Sequence, residues 1–172
     1  MKNIYLIGFM GAGKSTVARK LEEMTGARRI EMDQLLEEQQ GKKITEIFAE
    51  HGEEYFRDLE TELLRSFARE ENLIVSCGGG SVLREENAAL MKEAGRIVLL
   101  TASPETIYNR VKDSTNRPIL NGNMNVDYIR ELMEKRRPRY EAVADCRVAT
   151  DGKDICRICE EVLGEGEVRH EL

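Results

Sequence analysis

The stretch Gly8-Phe9-Met10-Gly11-Ala12-Gly13-Lys14-Ser15 has the residue types and spacing of a phosphate-binding loop. The apolar run Ile4 to Ile7 precedes it and a helical pattern of Val17, Ala18, Leu21 and Met24 follows, which is the strand, loop and helix context such a loop requires. The chemistry is close approach to an anion. Glycines let backbone N–H groups turn inward onto phosphate oxygens, and the opening helix adds the positive end of its dipole. Lys14 then reaches the β- and γ-phosphates, and the Ser15 hydroxyl is placed to ligate a magnesium ion bridging them. The alternative is a glycine-rich turn that matches by chance, which the agreement of pattern and context disfavours.

A phosphate loop implies a nucleotide without saying whether the chain is a switch, a motor or a small-molecule kinase. Neither a guanine-reading Asn-Lys-x-Asp nor an Asp-x-x-Gly switch occurs in the sequence, which argues against a GTPase. Magnesium in such folds usually has a second anchor, a carboxylate at the end of a neighbouring strand. The apolar run Leu73 to Val75 ends in Ser76, Cys77 and glycines, and the run Arg96 to Leu100 ends in Thr101, so neither supplies one. By elimination the carboxylates are Glu31 and Asp33. Two residues apart on an extended segment, they point to one side, one toward the metal and one toward an acceptor. The competing reading makes Asp33 a helix cap and Glu31 a solvated charge.

The elements that must position these groups alternate. Ala27 to Met32 reads as a strand, with Asp33 resembling the cap of a helix over Leu35 to Gln40 that Gly41 ends. Ile44 to Glu50 is a helix stopped by His51-Gly52, and Phe56, Leu59, Leu63 and Phe67 continue at helical spacing. Leu73 to Val75 and Arg96 to Thr101 are buried strands, with a helix Asn87 to Ala94 between them. Ser103-Pro104 starts the next helix, Asp113 to Asn123 reads as a mobile loop, and a helix from Val126 to Arg136 breaks near Pro138. Cys146 to Ala149 is the last strand and Ile155 to Leu163 the last helix. Alternation of this kind implies an α/β fold with a parallel sheet between helices, its ligands at the carboxyl ends of the strands. Glu31 to Asp33, Gly78 to Gly80 and the phosphate loop all fall on that rim.

The 172 residues suit one domain, and a net charge of -6 implies no basic face, so nucleic acid is not expected as a partner. The first apolar run is too short for a signal peptide or a spanning helix, so no membrane association is expected and the location expected is the cytoplasm. The cysteines (Cys77, Cys146, Cys156, Cys159) should then be reduced. Cys156 and Cys159 form a CxxC without a second pair or nearby histidines, so small apolar residues on a buried helix face is the favoured reading.

Taken together, the chain resembles the shikimate kinases over nearly its whole length. The resemblance is carried by the loop Gly8 to Thr16, Asp33, Ile47-Phe48-Ala49, Gly52-Glu53-Glu54 leading into Phe56-Arg57 and Glu60, and Gly78-Gly79-Gly80. It ends with Asn116-Arg117-Pro118-Ile119-Leu120 and Arg136-Arg137-Pro138-Arg139-Tyr140. It implies a P-loop NTPase-like three-layer sandwich with a central five-stranded parallel sheet flanked by helices. One kinase domain would occupy 1–163, with a substrate-binding helical region at 33–62, a mobile lid at 112–124 and a polar tail at 164–172. The implied reaction is transfer of the γ-phosphoryl group of ATP to the 3-hydroxyl of shikimate, with Mg2+, a step of aromatic amino-acid biosynthesis. By the same resemblance Asp33, Lys14 and Arg117 are catalytic. Gly11, Ala12, Gly13, Lys14, Ser15, Thr16, Arg117 and Lys153 bind nucleotide, and Ser15 binds the metal. Asp33, Arg57, Gly79, Gly80, Arg136, Phe48 and Phe56 bind shikimate, and the protein is expected to be a monomer.

The residue types agree with these roles. Arginine presents a planar fork matched to a carboxylate, which suits Arg57 and Arg136 to a small acid. An arginine in an unpatterned loop can close over the phosphates and exclude water. Other readings stay open: Arg57 pairing with Glu53 or Glu60 on its own helix, Arg136 within a solvated basic patch, and Phe48 and Phe56 as core. One position departs from the family, which usually has aspartate where Glu31 stands, so Glu31 is expected in an outer shell of the metal. The rival functions are a kinase of the same fold for gluconate or a nucleoside monophosphate, and a nucleotide-binding module without turnover.

Overall fold

In the computed structural model, which describes residues 1–112, 125–164 and 167–168, strand β1 (Asn3–Ile7) is the centre of the sheet. It pairs with β3 (Leu73–Ser76) on one side and β4 (Gly95–Thr101) on the other, with β2 (Arg28–Glu31) beyond β3 and β5 (Cys146–Ala149) beyond β4, all parallel. Strands β1 and β3 are buried at every position, as consecutive apolar residues require when helices cover both faces. The helices are α1 (Lys14–Thr25), α2 (Met32–Gln40), α3 (Ile44–Phe67), α4 (Glu85–Ala94), α5 (Pro104–Val111), α6 (Val126–Val143) and α7 (Ile155–Leu163). Helix α1 packs on α7 and on β1, β2 and β3, α3 packs on α4, and α4 and α6 pack on β4.

The five-stranded parallel sheet expected from the sequence is therefore present, and it carries a further strand. Strand β6 (Glu167–Val168) pairs antiparallel with β5, within the segment expected to be an unstructured polar tail. The open edge of β5 offers unpaired backbone groups, and a short segment of any composition can satisfy them.

Two other boundaries differ. Helix α2 starts at Met32 with Glu31 at the cap position, so Asp33 lies in the first turn and is not the cap. Strand β2 runs into α2 without a loop, which moves the boundary toward the strand. Helix α6 continues through Pro138 to Val143. A proline inside a helix costs a backbone bond, but Arg139 Nε donates to the Val82 carbonyl at 2.6 Å, and Tyr140 and Val143 are buried, so packing holds the second half in register. Of the CxxC pair only Cys159 is buried, its thiol donating to the Val17 carbonyl at 3.7 Å, while Cys156 is exposed. The expected break in α3 is found at Gly52, whose φ of 84° and ψ of 173° interrupt an otherwise continuous helix. Of the expected lid only Lys112 is described, and Arg117 lies outside the described residues. Among the described residues no helix is long and apolar enough to cross a membrane.

Candidate active site

Past Ile7 the chain turns through Gly11 and Gly13, both left-handed, and α1 begins at Lys14 with no side-chain cap. The first N–H groups of that helix are thus left to an anion held by the loop. The Lys14 ammonium donates to the carbonyls of Gly8 (2.6 Å) and Phe9 (3.1 Å), lying back along the loop it would serve. Ala12 is buried beneath the loop and Thr16 faces outward. Arg110 of α5 reaches the same loop, donating to the Gly11 carbonyl at 2.9 Å and to Thr150 Oγ1 at 3.3 Å. No motif marks Arg110, and only the neighbouring positions of β1 and β4 in the sheet hint at it. Lys153 is bonded to Glu161 of α7 at 3.0 Å and stands apart from the cavity described next.

A cavity of about 790 Å³ opens at the carboxyl ends of β1, β2 and β3. Lys14, Ser15, Asp33, Arg57, Gly79, Gly80 and Arg136 all line it, as do Phe48 and Phe56, whose ring centroids are 5.0 Å apart. On its outer side the Ser15 hydroxyl donates to Glu31 Oε2 at 2.7 Å, and Arg29 donates to Glu31 Oε1 at 3.0 Å.

The glycines at the end of β3 explain how the charged groups come so close. A Cβ at Gly78 would lie 2.7 Å from Asp33 Oδ1, one at Gly79 2.9 Å from Arg136 Nη1, and one at Gly80 2.5 Å from Arg57 Nη2. Each absent side chain thus makes room for a different member of the set. The crowded atoms are the far ends of flexible side chains, so the glycines give the charged groups room without being strictly demanded by them.

Arg57 donates to Glu60 at 2.7 Å and to Glu53 at 3.2 Å, so its pairing along its own helix and its place on the cavity wall hold together. Burial works against its charge, but Glu60 and Glu53 outweigh it and raise the guanidinium pKa. Glu60 is 0% exposed and also accepts from Ser81 Oγ at 2.7 Å, joining α3 to the turn after β3. Tyr140 donates to the Gly79 carbonyl, and its pKa is raised by burial against the opposing pull of Arg136. Arg136 in turn lies over the Phe9 ring, 5.8 Å from its centroid, so a residue of the phosphate loop props a side chain of the cavity wall. In the sequence Glu60 is readable as a partner of Arg57 three residues earlier on the same helix, whereas Tyr140 stands there only as part of the Arg136 to Tyr140 motif. Cys77 also lines the cavity, and burial pushes its thiol pKa well up, which favours the neutral thiol over the reactive thiolate.

A family model described as shikimate kinase matches residues 10–165. The chain belongs to the shikimate kinase family. It is 47% identical over 164 residues to a shikimate kinase of Persephonella marina, covering 95% of this chain and 98% of that protein. A relative from Geobacter metallireducens, also a shikimate kinase, is 43% identical over 169 residues, covering 98% and 94%. Among solved structures, a shikimate kinase from Acinetobacter baumannii in complex with shikimate superposes with a TM-score of 0.88 at 32% identity, covering 95% of this chain and 91% of that one. Lys14 and Ser15 of the phosphate loop, Asp33, Arg57, Arg136 and the glycines after β3 are gathered round one cavity in this fold.

Proposed function

We propose that the chain transfers the γ-phosphoryl group of ATP to the 3-hydroxyl of shikimate, giving ADP and shikimate 3-phosphate in aromatic amino-acid biosynthesis. The carrying observation is that one cavity joins a phosphate loop to two arginines and a carboxylate, Arg57, Arg136 and Asp33. A triphosphate needs the first and a hydroxylated ring acid needs the second.

In this reading Arg57 and Arg136 hold the substrate carboxylate, Gly79 and Gly80 present backbone to the ring hydroxyls, and Phe48 and Phe56 wall its apolar face. Asp33 accepts a hydrogen bond from the 3-hydroxyl and orients it, taking its proton as the oxygen attacks phosphorus. Lys14 exchanges a loop carbonyl for phosphate oxygens, so positive charge meets the negative charge that spreads over the transferring group. Gly11 to Thr16 cradle the nucleotide, with Arg117 and Lys153 as further cations on that side. The Ser15 hydroxyl, the Glu31 carboxylate and Ser76 Oγ, 3.5 Å from Ser15 Oγ, form an all-oxygen set, which suits magnesium. Ser15 would hold it with the phosphates while Glu31 stays in the outer shell. Magnesium bound there would supply charge neutralisation for the phosphates. The protein is taken to act as a cytoplasmic monomer.

Offering shikimate, gluconate or AMP in turn with saturating ATP tests the substrate, and turnover on either of the last two alone would overturn it. Asp33→Asn is expected to lower kcat by about 10²- to 10⁴-fold while leaving ATP affinity in place. Unchanged turnover would remove Asp33 from the chemistry.

A further inference from the structure

We infer that Arg29 is a positioning residue for the magnesium side of the site and that it acts through Glu31, an inference that rests on the metal reading above. Arg29 and Glu31 lie two apart on β2 and so share one face of the strand. The two carboxylate oxygens of Glu31 are divided between partners: Oε1 accepts from Arg29 Nη1 at 3.0 Å, and Oε2 accepts from Ser15 Oγ at 2.7 Å. Arg29 is itself held from behind. Glu22 of α1 takes the Arg29 backbone N–H at 3.1 Å and places Oε1 3.5 Å from Arg29 Nε. The side chains are sheltered, Arg29 at 28% and Glu31 at 16% exposed, so the link is screened less than a surface ion pair.

A glutamate at a cavity mouth has several rotamers that point its carboxylate elsewhere, and a guanidinium anchored on one oxygen selects the rotamer that aims the other at Ser15. Outer-shell partners of this kind commonly change metal affinity by about 10- to 100-fold. Charge alone predicts the opposite sign, because a cation beside Glu31 repels magnesium. If orientation dominates, removing Arg29 weakens the metal's effect, and if repulsion dominates, removing it strengthens that effect.

The test measures ADP affinity by calorimetry with saturating Mg2+ and with chelator, taking the ratio of the two dissociation constants, in the wild type, Arg29→Met, Glu31→Gln and the double variant. The expected result for Arg29→Met is a fall in that ratio of several-fold up to about tenfold, with metal-free ADP affinity and shikimate affinity unchanged. Glu31→Gln should fall at least as far, and the double variant no further than Glu31→Gln alone, since the two act in series. Arg29→Lys, which keeps a donor and the fold contact, should recover part of the loss. A ratio unchanged or raised in Arg29→Met overturns the inference, as does an Arg29 effect that persists in the Glu31→Gln background. If Glu31→Gln itself leaves the ratio intact, the outer-shell assignment of Glu31 fails and the inference falls with it, while loss in Glu31→Gln but not in Arg29→Met sinks the inference alone.

Discussion

Arg136 is held less firmly than its neighbour. Arg57 is fixed by the carboxylates of Glu53 and the buried Glu60, whereas Arg136 has the neutral Tyr140 hydroxyl and the Phe9 ring beside it. Arg136→Ala is therefore expected to leave the wall standing and remove a charge-assisted bond to the substrate, raising KM for shikimate roughly 10- to 100-fold, about 1.5–3 kcal/mol. KM for ATP should change little, and steady-state kinetics with each substrate varied in turn reads the difference. Equal effects on both would mean that Arg136 serves the nucleotide. At this scale the phosphate loop, Asp33, Arg57 and Arg136 could be read in the sequence because each has a residue type matched to one task. Tyr140 and Arg110 were not legible as parts of the site, and Glu60 was legible only as a partner of Arg57, without its bond to Ser81. Their contribution is to hold another group in place, and that depends on contacts between residues distant in sequence, as between Glu60 and Ser81 or Arg110 and Gly11.

Among the elements, α3 shows most clearly how backbone geometry builds the pocket. Phe48 precedes Gly52 and Phe56 follows it, and the bend at Gly52 brings the two rings to 5.0 Å. A φ of 84° with ψ of 173° is a region essentially restricted to glycine, yet a Cβ there would meet nothing within 4 Å. The constraint is torsional and not one of crowding. Gly52→Ala is expected to cost about 1–3 kcal/mol of stability in denaturant melts and to raise KM for shikimate as the corner opens. A stability equal to that of the wild type would show that the bend relaxes freely. The sequence announced this break through His51-Gly52, just as Gly41 announced the end of α2. Pro138 misled because local propensity favours a break there, while the partners that carry α6 onward, at Val82 and Gly79, belong to another part of the chain.

At the level of the whole molecule, the loops after β4 and β5 are tied together beside the phosphate loop. The Asp151 carboxylate accepts the Ser103 backbone N–H at 3.1 Å, and the neighbouring Thr150 accepts from Arg110 at 3.3 Å. Burial pushes the Asp151 carboxyl up, but bonds from Thr106 and Ser103 outweigh it and hold the pKa below the ordinary value. The folded pKa is thus lower than the unfolded one. The stabilisation is complete above the unfolded value of about 3.9 and fades as pH falls through the folded value. Asp151→Asn should accordingly melt below the wild type near neutrality, and the gap between the two melting temperatures should close in acid. A gap that widens in acid would reverse the sign of the linkage. The alternating apolar runs made the parallel sheet and its active rim legible from sequence, whereas β6 was not, since two residues completing an open edge carry no periodic signal. The strand order has a consequence for how the protein comes into being. Ile4 pairs with Ile74 and Tyr5 with Ile97, so β1 leaves the ribosome well before the partners it needs are made. The nucleotide loop at its end has no rigid support until those late segments dock, which makes folding slow to nucleate and leaves an amino-terminal fragment without a formed site.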